Sequence, residues 1–489
     1  MSSRFNYARL AGLVIVIGGI LRFALAAISH VGGDACWHAA VSRFMALNLE
    51  IPLFQAFGGG RDVFWAPPLF HFVSAAFYKL FGIFGPEAAE FGLKMVSPLF
   101  GTLTLVFVYL IAKRLFSSKI AFFATIFMAF IPIHLYYSSL AFVEAFVTFF
   151  VAGSVYFMLE KRVLLSGIFF GLAMLSKQNA LFTFPLLLLM LFWGFKGKEL
   201  LKSSAVFIAA CLSTGIWWFV RNTVHLGNPF WPFLYSIIGG TIVPQGSEVT
   251  FSVLHIFNPA HVLQAYLSLF GVPLGSASLL FGYSLPLKPV LLSGWFIATL
   301  IFSLPLIIGM LTLKKGPAKL LYFWIAFNAA GLLLYIMNLN AAYTRLVLPV
   351  FPALAVFWAL GFEKLMRTRA AKISVLVFSA IIFCFAAAEF AKSAIASGTW
   401  SAYDEDFAWV RENTPEESLF YYHGQCLSYN IARHSDSNPG KGYDFVWINE
   451  EFPVEPGAAL NATILDDFRN HSLVYSNENT GTQIYQLHK

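Results

Sequence analysis

The sequence predicts a polytopic α-helical membrane protein of about eleven crossings, followed by a small extracytoplasmic α/β domain. Three observations carry that prediction. Of 489 residues, 58% are hydrophobic and only 12% charged, with a mean hydropathy of +0.71; a soluble protein of this size needs a far more charged surface. Apolar runs of membrane-spanning length recur along the first 391 residues. The Lys and Arg residues gather in short clusters between alternate runs, as cytoplasmic loops require. Those clusters account for the net charge of +7, which therefore does not point to nucleic acid.

The first run covers residues 11–29, with Arg4 and Arg9 ahead of it. At about 1.5 Å per residue it crosses a bilayer, and its basic flank keeps the amino terminus in the cytoplasm. Ala24, Ala26 and Ala27 imitate a signal-peptide cleavage site, but the many later spans favour an uncleaved helix. Ten further runs lie near residues 95–112, 120–137, 139–159, 163–176, 178–195, 203–220, 288–313, 320–338, 346–362 and 373–391. Basic clusters occupy alternate linkers: Lys113/Arg114/Lys119, Lys161/Arg162, Lys196/Lys198/Lys202, Lys314/Lys315/Lys319 and Lys364/Arg367/Arg369/Lys372. Placing all of them inside is self-consistent and puts the chain after residue 391 outside. Residues 67–84 are apolar enough to cross, yet a crossing there inverts every later basic loop. They are read as a helix in the outer leaflet, opened by Pro67 and Pro68, with Lys79 reaching the interface.

Two units follow: a membrane module over residues 1–396, with outer loops at 30–94 and 221–287, and a domain over 397–489. In the second unit, DEDFAWVREN (404–413) reads as an amphipathic helix and SLFYYH and DFVWIN as short strands. The tail at 471–487 reads as a hairpin around Asn479 and Gly481. Asn461-Ala-Thr463 and Asn470-His-Ser472 are glycosylation sequons, and 257–271 is a second candidate surface helix. None of the four cysteines falls in a CxxC or metal spacing. Cys211 and Cys384 read as core thiols; Cys36 and Cys426 both fall outside, where a disulfide between them is open.

Charges at the ends of spans usually face a cavity or a partner, because burying them in lipid costs about 2.5–3.5 kcal/mol each. Five gather near one face: Asp34 in GGDACWHA, Glu144 about one turn into its span, Lys177 in GLAMLSKQNA, Arg221 after WWFV, and Arg345 at the start of an inward-going span. Taken singly, each base is more ordinarily an interfacial anchor. The histidines at 38, 71 and 134 are more ordinarily satisfied polar or core groups than metal ligands, and the tryptophans at 217, 218 and 231 an interfacial belt. Together, bases at the membrane surface suit a phosphate whose tail stays in lipid, since Arg binds two phosphate oxygens at once and Lys supplies a point charge. A nearby carboxylate suits a general base acting on an incoming hydroxyl.

With these residues in view, the chain resembles GT-C fold membrane glycosyltransferases, in the group of protein O-mannosyltransferases and lipid A aminoarabinose transferases. The blocks carrying the resemblance are GGDACWHA, WAPPLFHF, KRLFSSK with IPIHLYYSSLAFVEAF, GLAMLSKQNALFTFP, WWFVRNTVHLGNPFWP and RLVLPVFPALA, over roughly residues 1–365. The resemblance implies a polyprenyl-phosphate sugar donor, a protein, lipid or glycan acceptor, and inverting transfer of one sugar outside the cytoplasm. It implies catalytic roles for Asp34 and Glu144 and lipid-phosphate contacts from Lys177, Arg221 and Arg345. Donor or acceptor contacts are expected from His38, Trp65, His71, Asn222 and Tyr343. Members of the group often carry Asp-Glu where this chain has Asp34-Ala35, so a divalent metal stays open. The rival readings are oligosaccharyltransferase-like transfer of a whole glycan, disfavoured because FYYHGQCLSY stands where a WWDYG motif is expected, and a flippase of lipid-linked sugars.

Overall fold

The computed structural model describes residues 6–53, 63–243, 251–257, 303–313, 316–339, 344–366, 400–422, 425–436, 442–449 and 471–487. Helix α1 (Tyr7–Ile28) begins at Asn6, whose side chain accepts the Arg9 amide. The segment expected to be outer loop is instead largely helical: α2 (Asp34–Asn48), α3 (Leu69–Gly82) and α4 (Pro86–Lys94). Helix α3 is the one expected over 67–84. Helix α2 is not expected: Ala35, Cys36, Trp37, Ala39, Ala40, Val41 and Met45 are buried in it, but Asp34, His38, Ser42 and Arg43 interrupt them, so the sequence shows no long apolar run. Gly33 precedes it at φ 58°, a left-handed conformation that glycine adopts without a Cβ penalty.

The bundle continues with α5 (Val96–Leu115), α6 (Ser118–Phe130), α7 (Pro132–Tyr137), α8 (Glu144–Leu159) and α9 (Val163–Ser176). A 3-10 turn at Gln178–Thr183 leads into α10 (Phe184–Gly194), α11 (Gly197–Leu226) and the short α12 (Tyr235–Ile238). Then come α13 (Ser303–Thr312), α14 (Leu320–Leu339), a 3-10 segment at Thr344–Val350, and α15 (Phe351–Leu365). The run at 120–137 is split where Pro132 opens a new helix, since proline suits a first turn and not an interior. Glu144 starts α8 rather than sitting a turn inside it, and Arg345 lies in the 3-10 segment ahead of α15.

Among the described residues, five helices are long and apolar enough to cross a membrane: Tyr7–Ile28, Pro86–Leu115, Gly197–Leu226, Leu320–Met337 and Arg345–Leu365. Shorter apolar helices, α3, α6, α8 and α9 among them, lie beside these. The run at 373–391, most of that at 288–313, the helix at 257–271 past its first residue, Cys384, Tyr343 and both sequon asparagines lie outside the described residues.

Close helix contact uses small side chains, as it does in lipid generally. A Cβ on Gly171 of α9 would collide with Thr214 Oγ1 of α11, and one on Gly215 would meet the Gly171 carbonyl at 2.7 Å. Between α8 and α9, the Ser154 hydroxyl donates to the Ser166 carbonyl and the Ser166 hydroxyl to that of Ser154, each at 2.9 Å. The tryptophan belt is corrected: Trp218 is fully buried with its indole N–H on the Trp65 carbonyl, and Trp231 is buried on the Ile242 carbonyl. Trp217 alone of the three is exposed. An indole N–H that finds a carbonyl can be withdrawn from the interface.

The carboxyl-terminal part matches the expected elements and adds two. Helix α16 (Asp404–Asn413) and strands β1 (Leu419–Tyr421), β3 (Phe445–Ile448), β4 (Ser472–Asn477) and β5 (Thr482–Gln486) are those expected. Helix α17 (Gln425–Ile431) and β2 (His434–Asp436) are the additions. The sheet order is β2-β1-β3-β5-β4, with β1 parallel to both neighbours and the β4–β5 hairpin antiparallel. The buried Asp406 carboxylate binds the hairpin to α16, accepting from Tyr475, Asn477, Thr480 and Thr482 at 2.6–2.7 Å.

This domain is fastened to α2. Cys36 and Cys426 form a disulfide across a separation of 390 residues. Beside it, Arg43 donates to Glu90 and to the Tyr429 carbonyl, while the Tyr429 hydroxyl donates to Glu90.

Candidate active site

Asp34 is the first residue of α2, where the helix dipole favours a carboxylate. Positions 34, 37 and 38 share one face of that helix, so Asp34, Trp37 and His38 all line one cavity of about 480 Å³. Arg345, also in the lining, donates to Asp34, and its Nε lies 3.3 Å from Glu144 Oε1. The same Glu144 oxygen accepts the Lys177 ammonium at 2.5 Å. Two acids and two bases thus alternate in one chain, Asp34–Arg345–Glu144–Lys177.

Exposure grades along that chain. The Glu144 side chain is fully buried, those of Lys177 and Arg345 are about one-fifth exposed, and that of Asp34 is 43% exposed. Asp34 is therefore the more accessible of the two acids. Burial lowers the Lys177 ammonium from the usual lysine range, opposed by neighbouring Glu144. His38 is held well below the usual histidine range by burial, then by His71 and the charges of Lys177 and Arg345, so it is neutral at pH 7. Its Nδ1 lies 2.9 Å from His71 Nε2, so one imidazole N–H donates to the other ring.

The rest of the lining is mostly apolar. Phe182, Phe230, Phe233, Leu334 and Tyr335 line it together with Trp65, Pro67 and His71, and the Trp65 and Phe233 rings meet edge to face at 5.5 Å. Arg221 and Asn222 are expected here but are not in the lining. Arg221 lies over the Trp218 ring, donates to the carbonyls of Phe64 and Pro52 and to Asn222 Oδ1, and so secures the chain leading to Trp65.

Sequence reading passed over three features. Gln178 and Asn179 follow Lys177 into the cavity wall; their place in the same turn as the lone base was the available signal. Arg22 is fully buried in α1 and bonds Ser138 Oγ, His134 Nδ1 and the carbonyls of Gly18 and Met128. It pins the turn leading from α6 to Glu144, and a lone arginine inside an apolar run was itself the signal. A divalent metal does not fit the arrangement: each acid already faces a cation, and no group of three or more His, Cys, Asp or Glu is poised for a metal among the described residues.

The comparisons with known proteins converge on this architecture. Residues 66–218 match the family model of dolichyl-phosphate-mannose-protein mannosyltransferases. No curated protein matches the chain by sequence. ArnT from Cupriavidus metallidurans, bound to undecaprenyl phosphate and in the apo state, superposes with TM-scores of 0.61 and 0.62. Identity is 13%, and 97% of each chain is covered. The apo oligosaccharyltransferase from Archaeoglobus fulgidus gives a TM-score of 0.57 at 16% identity, over 89% of this chain and 65% of that one. The protein has the GT-C fold of these membrane glycosyltransferases, and its residues 66–218 are similar to the dolichyl-phosphate-mannose-protein mannosyltransferase model.

Proposed function

We propose that the protein is an inverting glycosyltransferase, moving one sugar from a polyprenyl-phosphate donor to an acceptor hydroxyl on protein, lipid or glycan. The observation that carries this reading is the chain Asp34–Arg345–Glu144–Lys177 in the wall of a largely apolar cavity. Two cations there suit a lipid phosphate, and the largely apolar, aromatic lining suits an isoprenoid tail. The undecaprenyl phosphate bound by ArnT supports the same ligand class. The reaction is assigned to the extracytoplasmic face, with the amino terminus inside. The basic-loop pattern supports that orientation, as does a disulfide beside Asp34, since such bonds persist in oxidising compartments.

The donor phosphodiester carries one negative charge. As its bond to the anomeric carbon breaks, the electron pair stays on the phosphate oxygen and a second charge develops. Arg345 and Lys177 stabilise that charge more in the transition state than in the donor complex, which is what accelerates a reaction. The acceptor oxygen bonds to the anomeric carbon from the face opposite the phosphate, giving inversion, while its proton passes to Asp34. In the donor-free chain Arg345 is engaged by Asp34; a phosphate that draws Arg345 away releases Asp34 as the base. Glu144 holds both cations in place. Arg221 supports the wall and is not assigned to the phosphate.

The test is incubation of membranes carrying the full chain with a panel of radiolabelled polyprenyl-phosphate sugars, followed by identification of the labelled product. Transfer of one sugar from one of these donors is expected. Transfer only from a lipid-linked oligosaccharide, or scrambling of lipid-linked sugar in liposomes without any transfer, would overturn the reading.

A further inference from the structure

His38 and His71 meet in the cavity wall, and their contact fixes where the proton of each ring lies. Both residues line the cavity, and His38 Nδ1 lies 2.9 Å from His71 Nε2. The other nitrogen of His71, Nδ1, is buried with no partner among the described residues. A buried N–H without an acceptor is rarer than an acceptor short of a donor, so His71 Nδ1 is bare and the proton of that ring sits on Nε2. His71 therefore donates to His38 Nδ1. A neutral imidazole carries one N–H, which leaves the proton of His38 on Nε2. That atom has no hydrogen-bond partner among the described residues. Unlike His71 Nδ1 it keeps accessible surface, in a residue 8% exposed at the cavity.

The N–H so presented donates and cannot accept. It stands one turn along α2 from Asp34, on the same face. A second proton on His38 would set two N–H groups against each other, so the ring adds a hydrogen bond to the site without adding charge. Lys177 and Arg345 line the same cavity and lie near enough to act on His38 electrostatically. An anion drawn to those two cations therefore comes within range of the same N–H. A phosphate oxygen accepts only, so it matches a donor that cannot change role. A sugar hydroxyl also needs an acceptor for its own proton, and His38 offers none. Resting on the glycosyl-transfer reading, we infer that His38 is a third contact to the donor phosphate, giving Nε2–H as a neutral donor beside Lys177 and Arg345, with His71 as the positioning residue that fixes its tautomer.

The test combines nitrogen NMR of the purified full chain, carrying labelled histidine, with lipid binding. The pair is recognised by the nitrogen–nitrogen coupling across its hydrogen bond. Both rings should be protonated at Nε2 and bare at Nδ1, and adding dolichyl phosphate or undecaprenyl phosphate should shift the Nε2 signal of the accepting ring. His38→Asn keeps an acceptor at the Nδ1 position for His71 but ends short of Nε2. It should lower affinity for bare polyprenyl phosphate about 10- to 100-fold, the range for a hydrogen bond to a charged group. A loss of the same size is expected for dolichyl phosphate mannose. Rings protonated at Nδ1, an Nε2 signal that phosphate does not move, unchanged phosphate affinity in His38→Asn, or a loss confined to the mannosyl lipid overturns this inference alone. The wild-type spectra decide even where the variant does not fold. Failure of wild type to bind either bare phosphate overturns the glycosyltransferase reading and this inference with it.

Discussion

Replacing Asp34 with Asn should separate catalysis from donor binding, and in opposite directions. The substitution keeps side-chain size but removes the base that takes the acceptor proton, a contribution of about 10²- to 10⁴-fold in kcat. It also removes the acid that holds Arg345 in the donor-free chain. With the Asp34 side chain 43% exposed, that ion pair falls in the solvent-screened range of about 0.2–1 kcal/mol. Arg345 is then freer to meet a phosphate, so donor affinity should hold or rise by up to about fivefold. The assay pairs radiolabelled sugar transfer at saturating donor with direct donor binding to the purified variant. A kcat within tenfold of wild type would remove Asp34 as the base. Affinity falling in step with kcat would show instead that Asp34 shapes the phosphate site.

Four further outcomes follow from the geometry. His30 stacks on Trp400, and burial, with a smaller contribution from Lys94, pushes its pKa down to about 4. A depressed histidine contributes stability that is present above its unfolded value near 6.5 and lost as pH falls towards 4, by up to about 3 kcal/mol. His30→Gln should flatten that part of the melting profile, and an unchanged slope would refute it. Asp406→Ala removes the acceptor shared by four side-chain donors of the β4–β5 hairpin and should cost about 3 kcal/mol; an unaltered melt and unaltered proteolysis of the hairpin would contradict this. Reducing Cys36–Cys426 should lower thermal stability, with about 6 kcal/mol as an upper value for a loop of 390 residues in the chain-entropy model. The same melt with and without reductant would argue against the tether. EDTA should leave transfer intact, because Lys177 and Arg345 already neutralise the acids; metal-dependent recovery of lost activity would reverse that conclusion.

Much of the site was legible because membrane burial makes charges informative. Asp34, Glu144, Lys177 and Arg345 stand out as charges at the ends of apolar runs, and the basic-loop parity set them on one face. Lys177 and Arg345 do meet the two acids. Arg221 belonged to the same sequence class yet turned to backbone carbonyls, because an arginine at a helix end bonds whichever acceptors the fold brings within reach. Helix α2 was hidden for a different reason: Asp34, His38, Ser42 and Arg43 interrupt its apolar residues, so no long run marks it. The amphipathic α16 and the β4–β5 hairpin were readable because their patterns are local.

Periodicity, charge clusters and apolar length are properties of neighbouring residues, and they determined the membrane class, the topology argument and the four charges worth watching. Contacts between residues far apart in the chain were decided only by tertiary structure. Asp34 and Arg345 are 311 residues apart, and Cys36 and Cys426 are 390 apart. The unpaired Nδ1 of His71 is visible only once every potential partner has a position. Pairing and its absence depend on packing geometry, which no stretch of sequence encodes alone.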